Sequence, residues 1–520
     1  MIACLKNLPI LLALALIVGA CQRAEETQAV KPNIVVFFVD DMGWQDTSVP
    51  FWTEITEWNK RYHTPNMEKL ASQGMKFTQA YAHSVCSPSR TSLLTGMNPA
   101  RHGVTNWTLW KDTSTDREDE VLEFPDWNVN GLQPVDTINQ AIFAHTLPSI
   151  LHENGYHTIH VGKAHWGAIG TPGENPLNLG FDVNIAGHAA GGLGSYLGEN
   201  NFGNAEPGSL TLPWGVPGME KYHGDSIHLT EALTLETITA LNEAKKKDQP
   251  FFLYFSHYTV HIPLEADRRF YPKYKEMGLE EPEARYASML EGMDKSLGDV
   301  LDYLKANQLE DNTILVFLSD NGGLSASARG GKLHMHNTPL NSGKGSAYEG
   351  GIRIPMLIKW PKVIAPKSTF ENYLIIEDLF PTLLEMASVS KPKTVQSIDG
   401  ESLVPRLQSN NKNNLRKKPL IWHYPNNWGA IGPGIGATST IREGDWKLIY
   451  WYKTRQLELF NIAEDICETT NLAPEHPEKI SELAKKLGAY LREVNAFRPK
   501  DIRTGEWAPW PDEYQSNLNN

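Results

Sequence analysis

The sequence predicts an α/β fold: a large, mostly parallel central sheet sandwiched by helices, with a smaller C-terminal α+β subdomain that bears an antiparallel sheet. Two observations predict it. Short apolar runs such as "NIVVFFV", "FFLYFS" and "TILVFLS" alternate with helical patterns through most of the chain, and unbroken apolar runs are typical of strands buried on both faces. The C-terminal region instead shows closely spaced strands, "STIREGDWKLIYWYKTRQLELFNIAED", and then one helix, "HPEKISELAKKLGAYLREVN".

The N-terminal region is predicted to lie outside this fold. A basic residue and the apolar run "LPILLALALIVGA" indicate a signal peptide over residues 1–20. Small residues before Cys21 indicate a lipoprotein signal with a lipid on Cys21, and ordinary cleavage nearby is the alternative. A polar tether over 21–31 leads to the main domain, 32–415, and the C-terminal subdomain, 416–520. We therefore expect an exported protein in the periplasm or at the cell surface, held to the membrane by a lipid anchor.

Charge and cysteine content narrow the function classes. The formal net charge of -13 argues against nucleic acid as a partner, and an anionic ligand would need a local cluster of cations. Beyond residue 21 the cysteines are Cys86 and Cys467. They could pair, but their sequence contexts do not suggest a disulfide framework.

Polar side chains follow the predicted strands, at the ends where open α/β sheets bind ligands. This shared placement is found for Asp40 with Asp41, Lys163 with His165, His257 with His261, and Asp320 with Asn321. Three carboxylates and an amide oxygen are hard ligands, which favour Ca²⁺ or Mg²⁺ over zinc. The strand ends therefore predict a metal site built from the three aspartates and the asparagine.

Cys86 lies in the turn-forming stretch "SVCSPSRT". Pro88 and Ser89 predict a tight turn into a helix that begins near Arg90 to Ser92. Cys86 would then lie near the helix N terminus, where backbone N–H groups favour negative charge. Two interpretations fit this position: a buried, inert cysteine, or a thiolate nucleophile activated by a nearby histidine.

The segment "CSPSRTSLLTG" resembles the C-x-P-x-R signature of type I sulfatases, of the alkaline-phosphatase-like superfamily, in which the cysteine is oxidised to formylglycine. Further segments resemble family blocks in family order: "NIVVFFVDDMGW", "GKAHWG", "FFLYFSHYTVHIP", "VFLSDNGG", "GKGSAYEGGIRIP" and "LELFNIAEDICETTNLA". The resemblance covers nearly the whole chain after the signal peptide. Two departures are Met97, where the family often has arginine, and Ile466-Cys467, where Pro-Gly is frequent.

The resemblance implies a role for each matching residue. Cys86 would become formylglycine (3-oxoalanine), whose hydrate attacks sulfur and forms a covalent sulfoenzyme intermediate, and a formylglycine-generating, sulfatase-maturating enzyme would be a partner. One Ca²⁺ would be bound by Asp40, Asp41, Asp320, Asn321 and residue 86. Arg90 would hold the hydrated aldehyde. The sulfate and its protons would be handled by Lys163, His165, His261 and Lys344. The proline two residues after His261 selects it over His257.

The function expected from this resemblance is hydrolysis of a sulfate ester from a sulfated carbohydrate, such as an oligosaccharide from an algal polysaccharide. Long irregular loops rich in tryptophan fit a sugar substrate. Candidate substrate contacts are His102, His188, His257, Trp107, Trp110 and Trp127. The alternatives are a phosphonate monoester or phosphodiester hydrolase of the same superfamily, and a catalytically silent, glycan-binding lipoprotein.

Overall fold

The computed structural model describes residues 31–326, 329–389, 392–408 and 416–513. Contacts separate Met1–Lys31 from Pro32–Asn520 as two units. The predicted signal peptide, the lipid on Cys21 and the tether up to residue 30 lie outside the described residues. None of the helices in the described ranges combines the length and apolarity that a membrane crossing needs.

The strands fall into one large sheet and several small ones. They are β1 Asn33–Val39, β2 Met75–Tyr81, β3 Leu122–Glu123, β4 Leu132–Gln133, β5 Ile142–Phe143, β6 His157–Gly162, β7 Val183–Ile185, β8 Phe251–Ser256, β9 Thr313–Ser319, β10 Arg353–Lys359, β11 Ser368–Phe370, β12 Leu374–Ile375, β13 Leu420–Tyr424, β14 Thr438–Glu443, β15 Trp446–Trp451, β16 Leu457–Asn461 and β17 Lys500–Asp501.

Helices of very different length connect the strands. The α-helices are α1 Glu57–Arg61, α2 Pro65–Gln73, α3 Cys86–Thr95, α4 Pro99–His102, α5 Leu147–Glu153, α6 Leu229–Lys245, α7 Tyr271–Glu276, α8 Glu281–Ala306, α9 Glu349–Ile352, α10 Leu379–Met386, α11 Val404–Gln408 and α12 Pro477–Glu493. Short 3₁₀ helices span Pro172–Glu174, Pro176–Leu179, Gly198–Gly203, Glu220–Tyr222, Glu310–Asn312, Ile376–Asp378 and Pro511–Glu513.

The large sheet has the strand order β11-β2-β10-β9-β1-β8-β6-β7, with β12 beside β2. The central strand β1 pairs in parallel with both neighbours, so that Val35 lies opposite Leu253 on one side and Leu315 on the other. Only β10 of this sheet runs against its neighbours, β9 and β2. The carboxyl ends of β1, β2, β6, β8 and β9 therefore meet at one edge, where β10 begins.

Both faces of the large sheet are buried under helices. In β1, Val35 and Phe37 belong to a core shared with α2, α6 and α8, whereas Ile34 and Phe38 belong to a core shared with α3, α5 and α10. Burial on both faces explains why this strand reads as an unbroken apolar run. The predicted parallel sheet between two helical layers is confirmed.

A second sheet is built near the C terminus by β13, β14, β15 and β16, all antiparallel. The apolar side of α12 packs on it, with Leu487 and Leu491 in one core with Ile441 and Tyr450. The predicted antiparallel sheet and closing helix are confirmed, and β13 joins them from outside the predicted meander. The subdomain boundary near residue 415 stays a prediction.

Candidate active site

A cluster of acidic side chains and one sulfur atom lies at the carboxyl edge of the large sheet. Asp40 and Asp41 follow β1, Asp320 follows β9, and Cys86 begins α3 shortly after β2. All four side chains are buried, and one ligand atom from each lies within 4.8 Å of the others. The fold thus brings together residues that are up to 280 positions apart in the chain.

Two lysines neutralise part of this cluster. Lys163, after β6, places Nζ 2.6 Å from Oδ2 of Asp40. Lys344, in the loop before β10, places Nζ 2.7 Å from Oδ1 of Asp41 and 3.3 Å from the sulfur of Cys86. The carboxylate of Asp41 holds the pKa of the Lys344 ammonium above its usual value although burial acts in the opposite direction, so this lysine remains charged.

Arg90 supplies the third cation. Its Nε donates to Oδ2 of Asp320 at 2.9 Å, and Nη1 donates to the hydroxyl of Ser256 at 2.6 Å and to the carbonyl of Lys163 at 3.1 Å. The side chain is fully buried. Three carboxylates and three cations therefore balance, and a divalent ion added to this set would leave two positive charges for an anionic substrate.

The donor set fits a hard divalent cation. Asn321 donates through Nδ2 to Oδ1 of Asp41 at 2.8 Å, whereas its Oδ1 is buried and has no hydrogen-bond partner among the described residues. Asp41 has a left-handed backbone with φ of 58°, and its N–H donates to Oδ1 of Asp320 at 3.2 Å. An orphaned amide oxygen beside three carboxylates is the arrangement that Ca²⁺ or Mg²⁺ would complete.

The helix that carries Cys86 begins earlier than the sequence predicts. It starts at Cys86 itself, not between Arg90 and Ser92, so that part of the prediction is wrong. Pro88 is accommodated because N–H groups in the first turn need no helical partner. Cys86 and Cys467 are both free, so the disulfide alternative is wrong too.

The thiol of Cys86 is a poor nucleophile in this environment. Burial raises its pKa to about 12, and the nearby Lys163 and Lys344 do not offset this effect. Because the thiolate is the reactive form, an unmodified Cys86 would be almost fully protonated at neutral pH. Burial of Cys86 therefore argues against the thiolate interpretation.

Two histidines at the site are held as neutral proton acceptors. Nε2 of His165 lies 2.9 Å from the carbonyl oxygen of Thr108, which assigns the proton to Nε2 and leaves the buried Nδ1 without a partner. Nδ1 of His261 contacts the carbonyl of Ile262 at 2.8 Å, and its Nε2 lies 3.8 Å from Oδ2 of Asp41. Burial lowers both pKa values, that of His261 to about 3 with help from Lys344.

Comparisons with known proteins agree with this geometry. The model of the Sulfatase family matches residues 32–389, and a model described as N-sulphoglucosamine sulphohydrolase, C-terminal, matches residues 343–496. The chain belongs to the sulfatase family. It is a sulfuric ester hydrolase, and its fold is that of the alkaline-phosphatase-like superfamily, as predicted.

Named relatives span nearly the full length of this sulfatase. A "Sulfatase" of Formosa agariphila is 30% identical, over 92% of this chain and 91% of the relative. An N-acetylgalactosamine-6-O-sulfatase of Bacteroides thetaiotaomicron is 28% identical, over 93% and 98%. The solved structure of Ps i-CgsB in complex with k-i-k-neocarrahexaose is 26% identical with a TM-score of 0.68, over 89% and 93%. Sulfatases generally use Ca²⁺ and formylglycine, which the acidic cluster around Cys86 fits.

Three of the predicted substrate contacts of the sulfatase are fully buried, and their roles stay predictions. His102 is fully buried between Ser92 and the N–H of Val104, Trp127 is fully buried with Nε1 on Asp116, and His257 is fully buried with Nε2 on Ser296. At least one ring nitrogen of each side chain contacts a neighbouring residue, whereas Nδ1 of His257 has no hydrogen-bond partner among the described residues.

The other predicted substrate contacts stay predictions. His188 is largely buried, with an unpartnered Nε2, and its carbonyl accepts from the N–H of His165 at 3.3 Å. Trp107 is half-buried and Trp110 is exposed. Sequence reasoning missed two tryptophans near the site: Trp428 beside Lys344 and Trp214 near His261. Each occurs in a glycine-rich loop, which was the only available signal.

Proposed function

We propose that this sulfatase releases sulfate from a sulfated carbohydrate, using formylglycine made from Cys86 and one Ca²⁺ held beside it. The observation that carries the proposal is the buried cluster itself: Cys86 lies among three carboxylates, an orphaned amide oxygen and three cations. An oligosaccharide from an algal polysaccharide is the proposed kind of substrate. The N-acetylgalactosamine-6-O-sulfatase relative and the oligosaccharide bound to Ps i-CgsB support a sugar.

The metal and the modified residue have distinct tasks. Asp40, Asp41, Asp320 and Asn321 would hold Ca²⁺, which polarises the sulfate oxygens when bound. Formylglycine at position 86 supplies a hydroxyl nucleophile in place of the protonated thiol. Arg90 keeps Asp320 ionised and oriented, and is the proposed contact of the modified residue.

The lysines stabilise the charge that develops as the sulfate ester breaks. The Nζ atoms of Lys163 and Lys344 are fixed on Asp40 and Asp41 before any substrate arrives, so they need no reorganisation in the reaction. The surplus of positive charge with a divalent ion in place suits an anionic ester. This electrostatic complementarity accounts for the binding of a sulfate group.

The histidines handle protons on opposite sides of the cluster. Nδ1 of His165 is a buried acceptor with no other partner, which suits it to take a proton from the modified residue. His261 is partly exposed, and a sulfate ester bound beside it would raise its pKa from about 3. A protonated His261 can then donate to the oxygen of the leaving alcohol.

Two measurements test this proposal. Mass spectrometry of the peptide that contains residue 86, from protein made in its native host, should find the aldehyde. A screen of sulfated oligosaccharides with sulfate release as the readout should find a substrate. An intact thiol in active protein would contradict the formylglycine mechanism, and a thiol in inactive protein would favour the glycan-binding lipoprotein.

The phosphoester alternative has a direct test. Sulfate and phosphate esters of one alcohol, and a phosphonate monoester, should be compared at equal concentration. We expect the sulfate ester to be hydrolysed faster. Faster hydrolysis of the phosphorus esters would replace the proposed reaction with that of the related hydrolases.

Export and membrane anchoring are proposed from residues 1–21 alone. The apolar run and the small residues before Cys21 support a lipoprotein of the periplasm or cell surface. The substitution Cys21→Ser should release the protein from the membrane fraction. A maturation enzyme that reads the sequence around Cys86 is the proposed partner before folding.

A further inference from the structure

A tryptophan from the C-terminal region reaches the catalytic cluster. Trp428 lies in the loop between β13 and β14, and its ring centroid is 5.8 Å from Nζ of Lys344. Lys344 in turn contacts the sulfur of Cys86 at 3.3 Å. Gly345 has φ of 86°, and a Cβ there would lie only 2.3 Å from Cε3 of the indole. The indole therefore packs closely on the backbone of Gly345, beside Lys344, and it remains half-exposed.

Hydrogen bonds fix the loop that carries Trp428. Asp116 accepts from Nδ2 of Asn426 at 3.0 Å and from the N–H of Asn427 at 2.9 Å. After Trp428 in the chain, the N–H of Ala347 donates to the carbonyl of Gly434 at 2.8 Å. A loop tied down before and after Trp428 loses little freedom when a ligand stacks on the indole, which favours binding.

A second tryptophan lies near His261, which is partly exposed. Trp214 is 41% exposed, although its backbone carbonyl accepts from the N–H of Gly194 at 2.7 Å. Gly192 separates it from His261: a Cβ on Gly192 would lie 3.1 Å from Cε1 of His261 and 3.8 Å from Cζ3 of Trp214. Glycine at this position leaves room between the imidazole and the indole.

Trp428 lies beside Lys344 and Trp214 lies near His261, and both of these site residues are close to the carboxylate of Asp41. Nε2 of His261 lies 3.8 Å from Asp41, and Nζ of Lys344 lies 2.7 Å from it. We propose that Trp214 and Trp428 form two aromatic walls of the substrate cleft and stack against sugar rings of the sulfated carbohydrate. This inference rests on the proposed carbohydrate substrate and adds the residues that select it.

The chemistry of sugars explains why these walls matter. A cluster of cations recognises any sulfate group but cannot distinguish the alcohol that carries it. The C–H face of a pyranose ring is apolar and packs well on an indole, while its hydroxyl groups stay in water. Large, partly exposed aromatic rings that are already ordered can supply this selection.

The test compares Trp428→Ala and Trp214→Ala with the wild type. The substrates are sulfated tetrasaccharides of the galactose and N-acetylgalactosamine series, and inorganic sulfate serves as a competitive inhibitor without a sugar ring. Each alanine variant should raise KM by about tenfold, which is the size expected for loss of one stacked ring. The inhibition constant of sulfate should change by less than about twofold, and phenylalanine at either position should restore most of the affinity.

A matched control is available in Trp507, which is 52% exposed and lies under Nζ of Lys500 at 4.8 Å. Trp507→Ala removes a tryptophan from the same kind of lysine pair, away from the cluster, and should leave KM unchanged. Thermal unfolding of every variant separates lost binding from lost fold. If Trp428→Ala does not fold, Trp428→Leu decides the same question.

Three other outcomes would contradict the aromatic walls, and the last of them would also contradict the proposed function. Unchanged KM on a carbohydrate that the wild type cleaves overturns the aromatic walls and leaves the proposed function in place. A parallel rise of KM and of the sulfate inhibition constant means that Trp428 only positions Lys344, which also overturns the walls. Sulfate release from an aryl sulfate but from no carbohydrate overturns both proposals.

Discussion

Two of the buried clusters of charge among the described residues of the sulfatase differ in how completely their polar atoms are paired. The catalytic cluster contains buried atoms without a partner, Oδ1 of Asn321 and Nδ1 of His165. A second cluster, which we call the anchor cluster, consists of Glu349, Lys447 and Glu468, and none of their side-chain polar atoms is left without a hydrogen bond.

The anchor cluster joins the loop of Lys344 to the C-terminal sheet. Nζ of Lys447, in β15, lies 3.1 Å from Oε1 of Glu349 and 2.7 Å from Oε1 of Glu468. Glu349, at the start of α9, also accepts from Tyr81 at 2.6 Å and from Arg353 at 3.2 Å. Complete pairing is what burial of charge requires when the charge has only a structural task.

The difference indicates how residues with a catalytic role can be distinguished from residues with a structural role in a buried polar network. Charge and burial are alike in the two clusters, so neither property identifies the active site. Unpartnered acceptors beside carboxylates and cations distinguish the catalytic cluster, because a metal ion, a substrate or a proton can complete such a set. An unpartnered atom alone does not identify the site, since others occur elsewhere in the described residues, such as Nδ1 of His257.

The largest expected effect comes from the orphaned nitrogen of His165. The substitution His165→Gln keeps a donor for the carbonyl of Thr108 but removes the Nδ1 acceptor. We expect kcat to fall by about 10²–10⁴-fold, as for loss of a general base, with little change in stability. Steady-state sulfate release and a urea unfolding curve measure both. Loss of stability without loss of kcat would mean that His165 has a structural role and no catalytic one.

The anchor cluster should respond in the opposite way. Lys447→Met leaves the buried Glu468 without a cation and Glu349 with Arg353 alone, so the free energy of unfolding should fall by about 3–5 kcal/mol while kcat of the folded protein is kept. Lys453→Met, which removes the exposed pair with Asp119, is the control and should cost about 0–1 kcal/mol. Equal effects in the two variants would refute the structural role of the anchor cluster.

Calcium should stabilise the folded protein through the catalytic cluster and not through the anchor cluster. At a concentration 100 times its dissociation constant, Ca²⁺ should raise the free energy of unfolding by about 2.7 kcal/mol, seen as a higher unfolding temperature. The variant Asn321→Ala lacks the orphaned oxygen and should need more Ca²⁺ for the same shift, whereas Lys447→Met should keep the wild-type response. A shift that is unaffected by Asn321→Ala would mean that the ion binds elsewhere.

The smallest expected effect is the contribution of Glu468 to the change of the free energy of unfolding with pH. Burial raises the pKa of Glu468 to about 7 from 4.5, and Lys447 only partly offsets this. Between these values the folded protein binds a proton that the unfolded chain does not, so this contribution to stability is lost as the pH rises towards 7. In Glu468→Gln, the free energy of unfolding measured with urea should change less with pH between about pH 5 and 7 than in the wild type. The exposed Glu464→Gln should not.

Much of this architecture could be predicted because its signals are local. Unbroken apolar strands and the polar residues that follow them, such as Asp40 and Asp320, predicted both the parallel sheet and its functional edge. The start of α3 was misjudged because a proline two residues into a helix looks, in sequence, like a turn before one.

The aromatic contacts could not be predicted, for a different reason. Trp127 is buried and Trp428 lies beside Lys344 because of packing between distant segments, which leaves no periodic pattern in either loop. The same holds for the anchor cluster, whose members come from α9, β15 and the loop after β16.

The contact between Lys344 and Cys86 can form only late in biosynthesis. The two residues are 258 positions apart, so a growing chain contains Cys86 long before the lysine that covers it has been made. At about 5–20 residues per second, this interval lasts roughly 13–50 seconds. In the finished fold Cys86 is only 3% exposed. The order of residues along the chain thus leaves a period in which the proposed maturation enzyme could reach this cysteine before folding buries it.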